Sequence, residues 1–160
     1  MYVEFKDLPA EARIWIYQAN RKLSDEEVTE ITEKTKAFVE QWAAHGSMLS
    51  AGFEIKHNRF IVFGIDQREI QASGCSIDES VHYIQSLERE YEVELLDKMN
   101  VTYYNGPHIA HKTLLDFKEM VKNRSVSANT IVFNNLVNTK EEYETKWEIP
   151  LQESWHSRFL

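Results

Sequence analysis

The run from Phe60 to Ile65 constrains this chain more than any other segment. Within Arg59–Asp66, Phe60, Ile61, Val62, Phe63 and Ile65 put apolar side chains on both faces of an extended segment. A strand of that kind belongs at the centre of a sheet, covered on both sides. Just before it, Phe53-Glu-Ile-Lys56 alternates apolar and polar residues, as a half-exposed strand does, and His57–Asn58 is a short connection. The two segments together predict a β-hairpin.

The other elements arrange themselves around that hairpin. Arg13–Ala19 contains the unbroken run Ile14-Trp-Ile-Tyr17, which predicts a second strand buried on both faces. Ser24-Asp-Glu-Glu27 is a capping box, in which the Ser hydroxyl accepts from the backbone three residues on and Glu27 reaches back. Val28, Ile31, Phe38, Val39, Trp42 and Ala43 follow at helical spacing and Gly46 supplies a stop, so a helix is expected from Ser24 to His45. Ser76-Ile-Asp-Glu79 is a second capping box, and Val81, Ile84 and Leu87 carry a helix to about Glu90. Val101-Thr-Tyr-Tyr104 is a short strand ended by Asn105-Gly-Pro107. The order β-α-β-β-α-β is that of an α+β, ferredoxin-like fold, an antiparallel sheet with helices on one face. In that topology the first and third strands are central, and here they are the most apolar.

A single domain is expected over residues 1–160, with the ferredoxin-like core in 1–106 and a C-terminal α/β extension, 107–160, packed on it. In the extension, Leu114, Leu115, Phe117, Met120 and Val121 predict a helix, and Thr130-Ile-Val-Phe133 a strand. Thr139-Lys-Glu-Glu142 is a third capping box, opening a short helix through Trp147. The tail beyond it is rich in aromatic residues and should be held by packing.

Composition limits the partners. A net charge of −8 and a pI near 5.3 repel phosphate backbones and anionic membrane surfaces, so neither nucleic acid nor membrane is an expected partner. The densest basic groups, Arg21–Lys22 and Lys118/Lys122/Arg124, read as solvated surface. Cys75 is the only cysteine, which rules out an internal disulfide and suits a reducing compartment. Met1–Asp7 has neither the basic nor the apolar region of a secretory signal, and no apolar run is long enough to span a bilayer. A cytoplasmic location is therefore expected, where the triplets Asn100-Val-Thr102 and Asn123-Arg-Ser125 carry no meaning as glycosylation acceptors.

Chemistry concentrates in Ala72-Ser-Gly-Cys-Ser-Ile-Asp-Glu79. Ser73, Gly74, Cys75 and Ser76 lie at a helix start, where free N–H groups and the helix dipole attract anions, so they form a candidate site for a small anionic ligand. Cys75, Asp78 and His82 offer a nucleophile, an acid and a base in one short stretch. Each also has a plainer role: Ser76 and Glu79 as a cap, Gly74 in a turn, Cys75 as a small buried apolar residue. Triad members normally come from separate elements. His108 and His111 would share a face, and so a metal, only on a helix, and Gly106–Pro107 before them favours a loop or strand. No metal or cofactor is expected. Asp66 ends the central strand, and Trp15, Tyr17, Trp42 and His45 are candidates to line a groove, although aromatics at such spacing usually form core. Ser154-Trp-His156 reads as packing.

The strings Trp15-Ile-Tyr-Gln-Ala19, Ala44-His-Gly46, Ala72-Ser-Gly-Cys-Ser-Ile-Asp78 and Trp147…Pro150-Leu151…Ser154-Trp155 resemble a family of small Bacteroidetes proteins whose members often carry the label "ABC transporter ATPase". The resemblance spans most of the chain and implies a bacterial, cytoplasmic setting. It brings no catalytic residues. The label implies nucleotide hydrolysis, but the Gly-x-x-x-x-Gly-Lys-Ser/Thr string that wraps phosphates is absent. The leading expectation is a non-catalytic module that binds a small anion, or a second copy of itself through a sheet edge or face. The alternatives are an enzyme or thiol redox sensor built on Cys75 and, third, ATP hydrolysis.

Overall fold

The computed structural model describes all 160 residues, and backbone contacts divide them into two compact units. The first holds Met1–Asp97 and Asn138–Glu141, the second Lys98–Val137 and Glu142–Leu160. The division thus falls after Asp97 rather than after residue 106, and a four-residue segment from the second half of the chain belongs to the first unit.

The first unit is built on a three-stranded antiparallel sheet of β1 (Arg13–Gln18), β4 (Ser50–Lys56) and β5 (Phe60–Asp66), in the order β1-β5-β4. β5 is central, as its apolar run demands, and its residues Phe60 to Ile65 are all buried. Ile61, Phe63 and Ile65 face the main core, where they meet Ile31, Phe38 and Val39 of α1 (Asp25–Gln41) and Ile84 and Leu87 of α2 (Gly74–Tyr91). On the other face Gly64 allows a close approach: a Cβ there would lie 2.6 Å from the Leu8 side chain. Both β1 and β4 run antiparallel to β5, so they are parallel to each other and joined through α1, a split β-α-β unit.

α1 starts as expected, with Ser24 and Glu27 completing a capping box. It ends at Gln41, four residues earlier than the pattern predicts. Ala43–Ala44 (β2) and Ser47–Met48 (β3) instead form a small hairpin across His45 and Gly46, both at positive φ (51° and 78°). Gly46 therefore serves a hairpin turn and not a helix end, since a tight two-residue turn needs that backbone conformation.

The expected fourth strand of the ferredoxin-like sheet lies elsewhere. β6 (Val101–Asn105) pairs with β7 (His108–Lys112) and β8 (Ile131–Phe133) in the second unit, not with β1. Beside β1 runs the returning segment: the Ile14 N–H donates to the Asn138 carbonyl at 2.9 Å, and Arg13 bridges Thr139. The other outer strand, β4, receives the N-terminal residues, with the Val3 N–H on the Ala51 carbonyl at 2.8 Å. Lys140, 7% exposed, donates to the carbonyls of Lys6 (2.9 Å) and Leu8 (2.8 Å).

The second unit is a four-stranded antiparallel sheet, β7-β6-β8-β9, with β9 at Glu148–Pro150. α3 (Leu114–Lys122) covers it through Phe117 and Val121, which join Val101, Tyr103, Val126, Val132 and Leu151 in one core. α4 (Lys140–Lys146) precedes β9, and Trp147 packs between Phe133 and Tyr143, with ring centroids 4.9 and 4.7 Å away. The aromatic tail is held as expected, in two 3-10 turns, Leu151–Glu153 and Trp155–Phe159. The fold class is α+β. No helix is long and apolar enough to cross a membrane.

Candidate functional site

The segment Ser73–Ser76 forms a helix start, but in a different register from the one expected. α2 begins at Gly74 with Ser73 as its cap. The Ser73 hydroxyl accepts from the Ser76 N–H at 3.1 Å, and the Ser76 hydroxyl accepts from the Ser73 N–H at 2.7 Å. Ser76 is fully buried, and its carbonyl takes the indole N–H of the buried Trp42 at 2.8 Å. The cap thus falls at Ser73, three residues ahead of the expected Ser76-Ile-Asp-Glu79 box, and Ser76 is buried under Trp42. Ser76 is thereby consumed by the cap and the core.

Cys75 is the second residue of the helix and is exposed, contrary to its reading as a buried filler. Asp78 and His82 are exposed too. The three share a helix face, yet Cys75 and His82 are seven residues apart, about 10 Å along the axis at ~1.5 Å per residue. Hydrogen-bond reach between nucleophile and base is roughly 3 Å. His82 is therefore out of reach of the Cys75 thiol.

The other sequence candidates resolve individually. His108 and His111 lie in β7, where residues three apart face opposite sides, and His111 Nδ1 pairs with the Thr102 hydroxyl at 3.2 Å. No group of three or more His, Cys, Asp or Glu is placed to hold a metal ion. Tyr17 and Trp42 are core, and Trp15 is half-buried with its ring edge-on to Trp42 at 6.2 Å. Asp66 accepts from the Arg68 guanidinium through both carboxylate oxygens, which keeps its carboxyl below the usual range. These two line a hollow of about 500 Å³ with Met1, Met48 and Ser50, where their charges already satisfy each other. His156 is buried, its Nδ1 paired with the Ser154 hydroxyl at 2.7 Å, and burial pushes its pKa down to about 4. Ser154, only 5% exposed, is out of reach of a substrate.

Lys118, Lys122 and Arg124 are exposed, as expected of solvated surface, and the fold gathers them around one hollow. Lys118 and Lys122 are one turn apart on α3, and Arg124 follows the helix end. They line a hollow of about 670 Å³ in the second unit, together with the apolar side chains of Val121, Val126 and Phe159. Ser127 and Leu160 complete the lining. Lys118 Nζ stands 5.2 Å over the Phe159 ring. No ion pair occupies Lys118, Lys122 or Arg124. The last helical carbonyls are taken by backbone groups, Val121 by the Arg124 N–H at 3.2 Å and Met120 by the Ser125 N–H at 2.8 Å. This closure puts Arg124 at φ +65°, a left-handed position usually given to Gly.

The surroundings of this hollow differ from the chain's average. The first unit has 11 Lys and Arg against 20 Asp and Glu, the second 7 against 6. The acidic character thus belongs to the first unit. Spacing alone contained one sign of the site, the i,i+4 pair Lys118/Lys122. The floor beneath it did not exist in the sequence, because Phe159 comes from the far end of the chain. The protein is of the α+β class, with one unit around a split β-α-β and one around a four-stranded antiparallel sheet. No family model, curated protein or solved structure matches the chain.

Proposed function

We propose that this protein is a non-catalytic binder of a small anionic molecule, and that the hollow beside the C-terminal end of α3 is where the anion sits. One observation carries the reading: three cationic side chains, free of carboxylate partners, border an apolar floor in a chain whose net charge is −8. A pocket with an apolar lining and a few converging polar groups is the usual form of a small-ligand site. The binding class stays as expected from the sequence, but its place moves from Ser73–Ser76 to the second unit.

The test is calorimetric titration of the intact protein with inorganic phosphate, acetate and Mg-ATP at low ionic strength, repeated with Lys122→Gln/Arg124→Gln. Binding of an anion that weakens at least tenfold in the variant supports the site. Equal binding by both proteins places the anion elsewhere. Mg-ATP tests the hydrolase label of the resembling family: binding with release of phosphate would replace this reading.

Two further expectations remain as proposals. The split β-α-β of the first unit supports kinship with half of a ferredoxin-like arrangement. Pairing of two copies would use β7, an outer strand of the second sheet, because both outer strands of the first sheet already bond to other segments. Light scattering that gives a monomer mass of 18.9 kDa at all concentrations would remove it.

A further inference from the structure

The hollow is cationic on its rim and apolar on its floor, and the apolar character continues beyond it. Leu115 is 73% exposed and lies on the same α3 face as Lys118 and Lys122, at positions i, i+3 and i+7. Leu160, which lines the hollow, is 62% exposed. Phe159 offers a half-buried ring beneath Lys118. A site for a bare inorganic anion needs donors around a point and gains nothing from Val121, Val126 and Phe159 under it. Resting on the anion-site reading above, we infer that the ligand is an amphipathic anion: a phosphate or carboxylate head joined to an unbranched apolar chain. The head meets Lys122 and Arg124, and the chain lies over Phe159, Val121 and Val126 toward the exposed leucines. A volume of about 670 Å³ accommodates a chain of medium length.

The experiment is a titration series on the intact protein with inorganic phosphate and then ethyl, butyl, hexyl and octyl phosphate, all below their micelle-forming concentrations. Full burial of a methylene is worth about fourfold in affinity, and an open hollow covers roughly half of it. Affinity should therefore rise about twofold per methylene from ethyl to octyl phosphate. Phe159→Ser should flatten that rise. Lys122→Gln/Arg124→Gln should weaken every member by a similar factor. Binding of inorganic phosphate with no dependence on chain length overturns the amphiphile while sparing the anion site. Failure of every phosphate to bind overturns both. Equal binding of octyltrimethylammonium would show a merely greasy surface and overturns the inference. Binding only to vesicles of anionic phospholipid, with no uptake of monomeric octyl phosphate, would replace a single-molecule ligand with a bilayer surface.

Discussion

At the scale of single residues, what decides a side chain's role is the company that folding brings it. Cys75 illustrates this. A lone cysteine is most often buried and inert, yet helix α2 turns Cys75 outward. The native protein should therefore react with a bulky disulfide reagent as fast as the urea-unfolded chain does, within about threefold, as followed by thiol absorbance. Slow, unfolding-limited labelling would contradict the outward placement. His156 is the opposite case, a polar ring sealed beside Ser154 and the Phe117 ring. Burial holds it neutral, with a pKa of about 4 against 6.5 when exposed. Between those values the unfolded chain takes up a proton that the native chain refuses. Stability therefore falls as pH drops from 6.5 to 4, by roughly 3 kcal/mol in all, and this residue adds no further loss below that window. Urea midpoints measured across it should show a slope that His156→Gln flattens.

At the scale of elements, periodicity located most helices and strands, while their ends depended on contacts. The hairpin of β4 and β5, both strand cores, and helices α1, α3 and α4 follow from patterns in the sequence. The start of α2 does not: the pattern placed the cap at Ser76, and the fold buries Ser76 against Trp42 and caps the helix with Ser73. Ser73→Ala should destabilise the fold by about 1 kcal/mol, the usual worth of a cap, whereas Glu79→Ala should stay within about 0.5 kcal/mol. The reverse order in thermal melts would restore the later helix start. β7 was missed for a related reason. Its five residues, His108-Ile-Ala-His-Lys112, have no strong alternation, and β6 defines them as a strand by offering a partner.

At the scale of the whole molecule, chain order and spatial order part company. The chain leaves the first unit after Asp97, builds most of the second, and returns for Asn138–Glu141. Those four residues supply the acceptor for Ile14 and bring Lys140 to the carbonyls of Lys6 and Leu8. A fragment of residues 1–97 would leave those buried groups without partners. Each such loss costs about 1–3 kcal/mol, so the fragment should be largely unfolded, or less stable than the intact protein by several kcal/mol, in urea titration. Lys140→Met in the intact chain isolates one part of this effect and should cost about 2–4 kcal/mol. A fragment as stable as the full chain would show that the returning segment is incidental.

The amino-acid sequence by itself determined most of the longer strands and helices and that β5 lies at the centre, because hydrophobic periodicity and capping are local properties written in neighbouring residues. It also determined the class, α+β, and the hairpin that anchors it. Tertiary structure alone decided that Val101–Asn105 joins a second sheet and that Ser76 is buried. It alone made a basic stretch on α3 into a hollow. Those outcomes rest on contacts between residues far apart in the chain, such as Lys118 with Phe159, where burial free energy and not local pattern chooses the partner.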